Sequence, residues 1–273
     1  ALDYPSADAA IALGVVPVGM AELSYVDAGV HKWTEDALNG ATPELFPTDD
    51  GYPFETIARL NPDVILAVAN AYPSITENWE KLNQIAPVVG HVKRQGEDTW
   101  QQGLTQVGKA LGRADRAAEL VAEVEGKITE ARKANPDFAG KTVTFFNYVG
   151  GVLYLINSND DTSIKFFRDL GFAGIADSVA AMPNMQGGLG RAEVSAEQYE
   201  LIEADLIIGT SSDGKLDDLT GAPIFARVPA VARGAFVPLA VGRSTAMVYP
   251  SVLSLPYAVQ DLTPEIARAL GGD

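Results

Sequence analysis

A short template occurs twice in this chain, and that duplication restricts the fold more than any other feature. Residues 53–66 read PFETIARLNPDVIL and residues 194–208 read VSAEQYELIEADLII. With Glu55 set on Glu197, the apolar pairs Ile57/Tyr199 and Leu60/Ile202 coincide. So do Asp63/Asp205 and the runs 64–66 and 206–208. The apolar spacing has the helical period, and the aliphatic run that follows suits a strand covered on both faces. Each copy therefore predicts a short helix, opened by a glutamate, that turns straight into a buried strand. Two copies predict two related α/β lobes.

The chain has 273 residues, 28.9 kDa, 47% hydrophobic and 21% charged residues, enough for two modest lobes with packed cores. No apolar run is long enough to span a bilayer. A formal charge of −16 repels phosphate backbones and argues against a nucleic-acid partner. The absence of cysteine excludes disulfides, thiolate catalysis and cysteine-ligated zinc while leaving the compartment open. The chain opens at Ala1 in what reads as mid-element, which suggests residues removed upstream, with a signal or a lipid-anchor segment among the candidates.

Helical and strand signals alternate along the chain. Helices are expected at 7–13, 75–85, 98–111, 115–134, 163–170, 251–259 and 264–270, and strands at 15–19, 64–68, 88–92, 142–146, 152–156, 206–208 and 236–239. Residues 24–51, rich in Gly, Asp, Thr and Pro, read as a long surface excursion. Strands separated by helices imply parallel sheets, with the strand at 152–156 reading as hairpin-like after 142–146. The stretch 115–134 is the longest uninterrupted helical signal and ends at Asn135–Pro136, a helix-stopping pair. Cutting there gives an N-terminal lobe (1–112), a linking helix (113–136) and a C-terminal lobe (137–273).

The motifs argue against an enzyme. Residues 209–215, GTSSDGK, match part of a phosphate loop and follow a strand. Leu216 stands where a magnesium-binding hydroxyl belongs, however, and Asp213, Asp217 and Asp218 would repel phosphate. The Gly187, Gly188 and Gly190 cluster has no strand running into it and reads as a loop. His31 and His91 are the only histidines, and neither has a nucleophile or acid partner in sequence context. No catalytic residue and no metal ligand is assigned. More telling are aromatic and cationic residues at the expected carboxyl ends of strands, where ligands gather in open parallel sheets. These are Tyr4, Tyr72, Lys93, Arg94, Tyr148, Arg243 and Tyr249, joined by Arg191 in the Gly-rich loop and Trp33 in the early excursion. Aromatic walls with a few fixed cations suit a polar, partly apolar ligand, although tyrosines also favour half-buried structural positions. A glutamate in a first helical turn also stabilises the helix dipole, so Glu55 and Glu197 have a purely structural reading as well.

The phrases ALGVVPVGM, ETIARLNPDVIL, WEKLNQIAPVV, LTQVGKALG, RDLGF and VSAEQYELIEADLII, in this order, resemble the iron-siderophore and vitamin B12 class of bacterial periplasmic binding proteins. The resemblance covers nearly the whole chain apart from a first strand, which would end near Ala1–Leu2. It implies a class III periplasmic binding protein fold: two Rossmann-like lobes bridged by one long helix, with the ligand in the cleft between them and little closure on binding. It also implies an extracytoplasmic, monomeric protein, periplasmic or a cell-surface lipoprotein, that delivers a ferric siderophore to an ABC importer and needs no cofactor. By that resemblance Glu55 and Glu197 dock on the permease subunits, and Tyr4, Tyr72, Arg94, Tyr148, Arg191 and Arg243 contact the ligand, with Trp33 and Tyr249 added to the set by their positions along the chain. Haem or a corrinoid is the alternative cargo within this fold, and a nucleotide-dependent α/β enzyme is the alternative outside it.

Overall fold

The computed structural model describes residues 1–69, 74–93, 98–185 and 190–271. These divide into two compact units, Ala1–Glu125 with Tyr249–Tyr257, and Gly126–Val248 with Ala258–Asp273. The division falls inside the helix Ala114–Ala134, within the stretch expected to link the lobes. It also assigns Tyr249–Tyr257, which sequence reasoning had left in the C-terminal lobe, to the first unit.

In the first unit the turn at Asp3 starts a helix rather than preceding one. Asp3 caps Tyr4–Ala12 by accepting the Ser6 N–H at 2.7 Å, with Pro5 in the first turn, where its missing N–H costs nothing. Strand β1 (Gly19–Ala21) pairs in parallel with β2 (Glu44–Phe46), and β3 (Ile65–Ala67) with β4 (Val88–Gly90). Residues 1 and 2 lie between the two pairs. The Ala1 amine donates to the Gly19 carbonyl at 2.9 Å, Ala21 N–H donates to the Ala1 carbonyl at 3.0 Å, and Leu2 N–H donates to the Leu66 carbonyl at 2.8 Å. Ile57 of the first template copy packs with Phe46, Ile65, Ala67, Ile75 and Leu82 in this unit's core.

Two expectations change here. The strand expected at 15–19 forms later, at Gly19–Ala21, and Val16 and Val18 are 47% and 59% exposed. The excursion at 24–51 contains the helix Lys32–Leu38 and strand β2. Elements this short hold too few apolar positions to show a period.

The second unit holds one five-stranded sheet in the order β7 (Arg191–Val194), β6 (Val152–Ile156), β5 (Val143–Val149), β8 (Leu206–Thr210), β9 (Phe236–Leu239). It is mixed rather than parallel: β5–β8 and β8–β9 run parallel, whereas β5–β6 and β6–β7 run antiparallel. The cause is the two-residue turn Gly150–Gly151, with φ of 58° and 87°, which reverses the chain between Val149 and its partner Val152. Positive φ at both central residues is what a tight hairpin requires, and so short a link cannot make a parallel crossover. The second template copy becomes a 3₁₀ helix, Ala196–Ile202, followed by β8, whereas the first is α-helical over Phe54–Arg59. Asp205 holds this junction by accepting from the Thr142 N–H at 2.8 Å and from its hydroxyl at 3.0 Å, while its counterpart Asp63 is exposed. The two C-terminal helices expected from the sequence are one helix, Ser254–Ala269, with Pro264 inside it.

Candidate functional site

The chain after Leu2 and the carboxyl ends of β1 and β2 line a cavity of about 250 Å³. The chain after Leu2 supplies Asp3, Tyr4 and Pro5; the chain after β1 supplies Glu22, Leu23, Ser24 and Tyr25; the chain after β2 supplies Thr48 and Asp49; and the returning segment supplies Tyr249. This is where open α/β sheets place ligands, because successive loops converge there. Tyr25 and Tyr249 are 49% and 44% exposed, whereas Tyr4 is buried.

Tyr4 and Tyr25 are held from behind. The Tyr4 hydroxyl donates to the Tyr249 carbonyl at 2.6 Å, tying the first helix to the returning segment. The Tyr4 ring stands edge-on to His31 at 4.8 Å, His31 stacks on Trp33 at 4.1 Å, and Trp33 leans on Tyr257 at 5.2 Å. Tyr25 Oη lies 3.3 Å from His31 Nε2. Under this aromatic stack the fully buried Asp8 accepts from the Trp33 indole at 2.9 Å, from the Thr34 hydroxyl at 2.6 Å and from the Ser251 hydroxyl. Burial pushes the Asp8 carboxyl up to about 6, and burial pushes His31 down to about 4. His31 is thus a neutral packing element at neutral pH.

Of the expected ligand contacts, the first unit brings Tyr4 and Tyr249 to one cavity and sets Trp33 behind them, 5% exposed and with its N–H engaged by Asp8. Tyr72 and Arg94 lie outside the described residues. Tyr148, Arg191 and Arg243 sit on three elements of the second unit: β5, β7 and the helix Val241–Val248. Tyr148 is buried. Arg191 pairs with Asp161 at 2.9 Å, and Arg243 reaches Asp261 at 2.8 Å and Glu265 at 2.9 Å. Sequence reasoning missed Tyr25, Glu22 and Asp49. The rule that found Tyr4 would have found Tyr25 and Glu22 had the first strand been set at Gly19–Ala21.

The partial phosphate loop is occupied by its own side chain. Asp213 accepts from the Ser211 hydroxyl at 2.6 Å, from Lys215 N–H at 3.2 Å and from Gly150 N–H at 3.0 Å, so a carboxylate takes two of the loop's own donors. The Gly187–Leu189 part of the glycine cluster lies outside the described residues. Glu55 and Glu197 are both exposed, one in each unit, at the start of the helix in each template copy. The Glu197 backbone N–H and the Ser195 hydroxyl hold the Glu197 carboxyl below its ordinary range. No helix among the described residues is long and apolar enough to cross a membrane.

A duplicated α/β scaffold with a tyrosine-walled cavity at its strand ends is a ligand-binding architecture. The profile of the family described as "Periplasmic binding protein" matches residues 1–239, and the chain belongs to that family, with the α/β fold of its class III members. A probable siderophore-binding lipoprotein of Bacillus subtilis, YfiY, is 27% identical over 144 residues, covering 53% of this chain and 42% of that protein. The ferric enterobactin-binding periplasmic protein FepB of Escherichia coli is 30% identical over 79 residues, covering 29% of this chain and 24% of that protein. The chain therefore aligns with less than half the length of either relative. The structure of PiaA from Streptococcus pneumoniae in complex with ferrichrome aligns over 98% of this chain and 91% of that one, at 26% identity and a TM-score of 0.78.

Proposed function

We propose that this chain is the extracytoplasmic substrate-binding component of an ABC importer, that it captures a ferric siderophore, and that it does no chemistry on its cargo. The observation that carries the reading is the cavity walled by Tyr4, Tyr25 and Tyr249 at the strand ends, in a chain of this family. A siderophore saturates its iron, so a binding protein meets only the outer surface of the chelate. Aromatic faces suit such a surface, large and partly apolar with polar edges. PiaA was crystallised with ferrichrome, and the names of YfiY and FepB also refer to siderophores. Membrane attachment through a lipid, as in the YfiY name, and a monomeric state belong to the same proposal.

Delivery requires a surface that the importer can read. Glu55 and Glu197 have the properties such contacts need: exposed carboxylates, in equivalent places of a repeated template, with no ion-pair partner among the described residues. Haem and corrinoid remain the alternative cargoes of the same fold, and the test separates them. Tryptophan fluorescence should fall saturably on titration with ferrichrome, because Trp33 lies behind the tyrosine wall, 6.3 Å from the Tyr4 ring. Hemin and cobalamin should leave it unchanged after correction for absorbance. Saturable binding of hemin with a sharpened Soret band, and none of ferrichrome, would replace this reading with haem capture.

A further inference from the structure

The charge around the tyrosine cavity carries information about which chelates it accepts. Beside Tyr4, Tyr25 and Tyr249 the cavity has three carboxylates, Asp3, Glu22 and Asp49, and no lysine or arginine among its described lining residues. Asp3 is 7% exposed and engaged by the backbone N–H groups of Ser6 and Ala69, at 2.7 and 3.2 Å. Glu22 and Asp49 line the cavity and are exposed. The whole chain carries −16. An anionic cargo would approach against this field, whereas a neutral cargo would not, and a cationic one would be drawn in.

Chelate chemistry turns this into a class. A hydroxamate loses a single proton on binding iron, so a full hydroxamate shell cancels the ferric charge. A catecholate loses both protons and leaves the complex strongly anionic. We propose that the cargo is a neutral or cationic ferric hydroxamate, and that Glu22 and Asp49 discriminate against catecholate and polycarboxylate chelates while favouring an ammonium-bearing periphery. This rests on the reading of the cavity as the siderophore site.

The test is a fluorescence titration of the full chain, at low and high salt, with ferrioxamine B (cationic), ferrichrome (neutral) and ferric enterobactin (anionic). Ferrioxamine B and ferrichrome should each bind at least about tenfold more tightly than ferric enterobactin at low salt, with the gap narrowing as salt screens the carboxylates. The double variant Glu22→Gln/Asp49→Asn should lower the affinity for ferrioxamine B relative to ferrichrome several-fold, and raise that for ferric enterobactin. Ferric enterobactin binding as tightly as ferrichrome, or an unchanged ferrioxamine B to ferrichrome ratio in the double variant, overturns the charge assignment alone. If none of the three chelates binds while hemin or cobalamin does, the siderophore reading falls with it.

Discussion

Asp8 and His31 share one aromatic-roofed pocket in the first unit, and burial acts on them in opposite directions. Asp8 titrates at about 6 in the folded chain against an ordinary 3.8, so the folded form holds its proton more tightly. Its contribution is therefore largest below pH 3.8 and declines as pH rises toward 6, by about 3 kcal/mol. His31 titrates at about 4 against an ordinary 6.5, so its contribution is complete above pH 6.5 and is lost as pH falls toward 4, again by about 3 kcal/mol. The two slopes nearly cancel in the parent chain. Urea unfolding at pH 6.5 and pH 4 should expose them in the variants. Asp8→Asn should lose about 2 kcal/mol relative to the parent over that drop in pH, and His31→Gln should gain a similar amount. Variants whose stability curves run parallel to the parent would show that neither group titrates as its burial requires. None of this was readable from the sequence, because Asp8, Trp33, Thr34 and Ser251 meet only through tertiary packing across as many as 243 positions.

At the scale of elements, legibility followed length and punctuation. The helix Ala114–Ala134 and the strands Val152–Ile156 and Phe236–Leu239 formed where the sequence put them, because a long stripe or a short apolar run bounded by glycine and polar residues leaves little choice. Three-residue strands such as β1 carry no period, and the β-branched Val15–Val18 run misled because apolar character does not decide burial. Pro264 misled in the other direction: a helix held by packing on both sides of a proline can absorb the lost hydrogen bond, so the expected break does not occur. The repeated template hides one further constraint. Gly209, in β8, lies under the Phe146 and Phe236 rings, which stack at 6.2 Å; an added Cβ would come within 2.5 Å of Phe146 and 2.8 Å of Phe236. Gly209→Ala should therefore lower unfolding stability by about 1–3 kcal/mol, since neither ring can move without disturbing its neighbours. Gly214→Asn, in the following loop at φ 73° with open space around it, is the control and should cost well under half as much. Equal effects at the two positions would mean that backbone conformation, rather than ring packing, sets the cost.

For the whole molecule, the account joins a cargo site to a delivery surface, and the two should be separable. Reversing charge at both Glu55 and Glu197 with lysine should leave the Kd for ferrichrome within about twofold of the parent. Iron uptake by cells that depend on the cognate importer should fall by at least about tenfold. Uptake at parental levels would return both residues to the role of helix-dipole partners. The family and the two-unit plan were visible in the chain because they reside in an ordered set of helix-to-strand phrases. The cavity was visible only in part, since its mouth is formed by loops after strands too short to locate, and Tyr25, Glu22 and Asp49 come from those loops. The most direct test is therefore made on the wall itself, by titrating the parent, Tyr25→Ala and Tyr249→Ala chains with ferrichrome and melting each of them. Both rings are about half exposed, so both variants should melt within a few degrees of the parent while binding ferrichrome at least about tenfold more weakly. Parental affinity in both variants would contradict the placement of the cargo in this cavity.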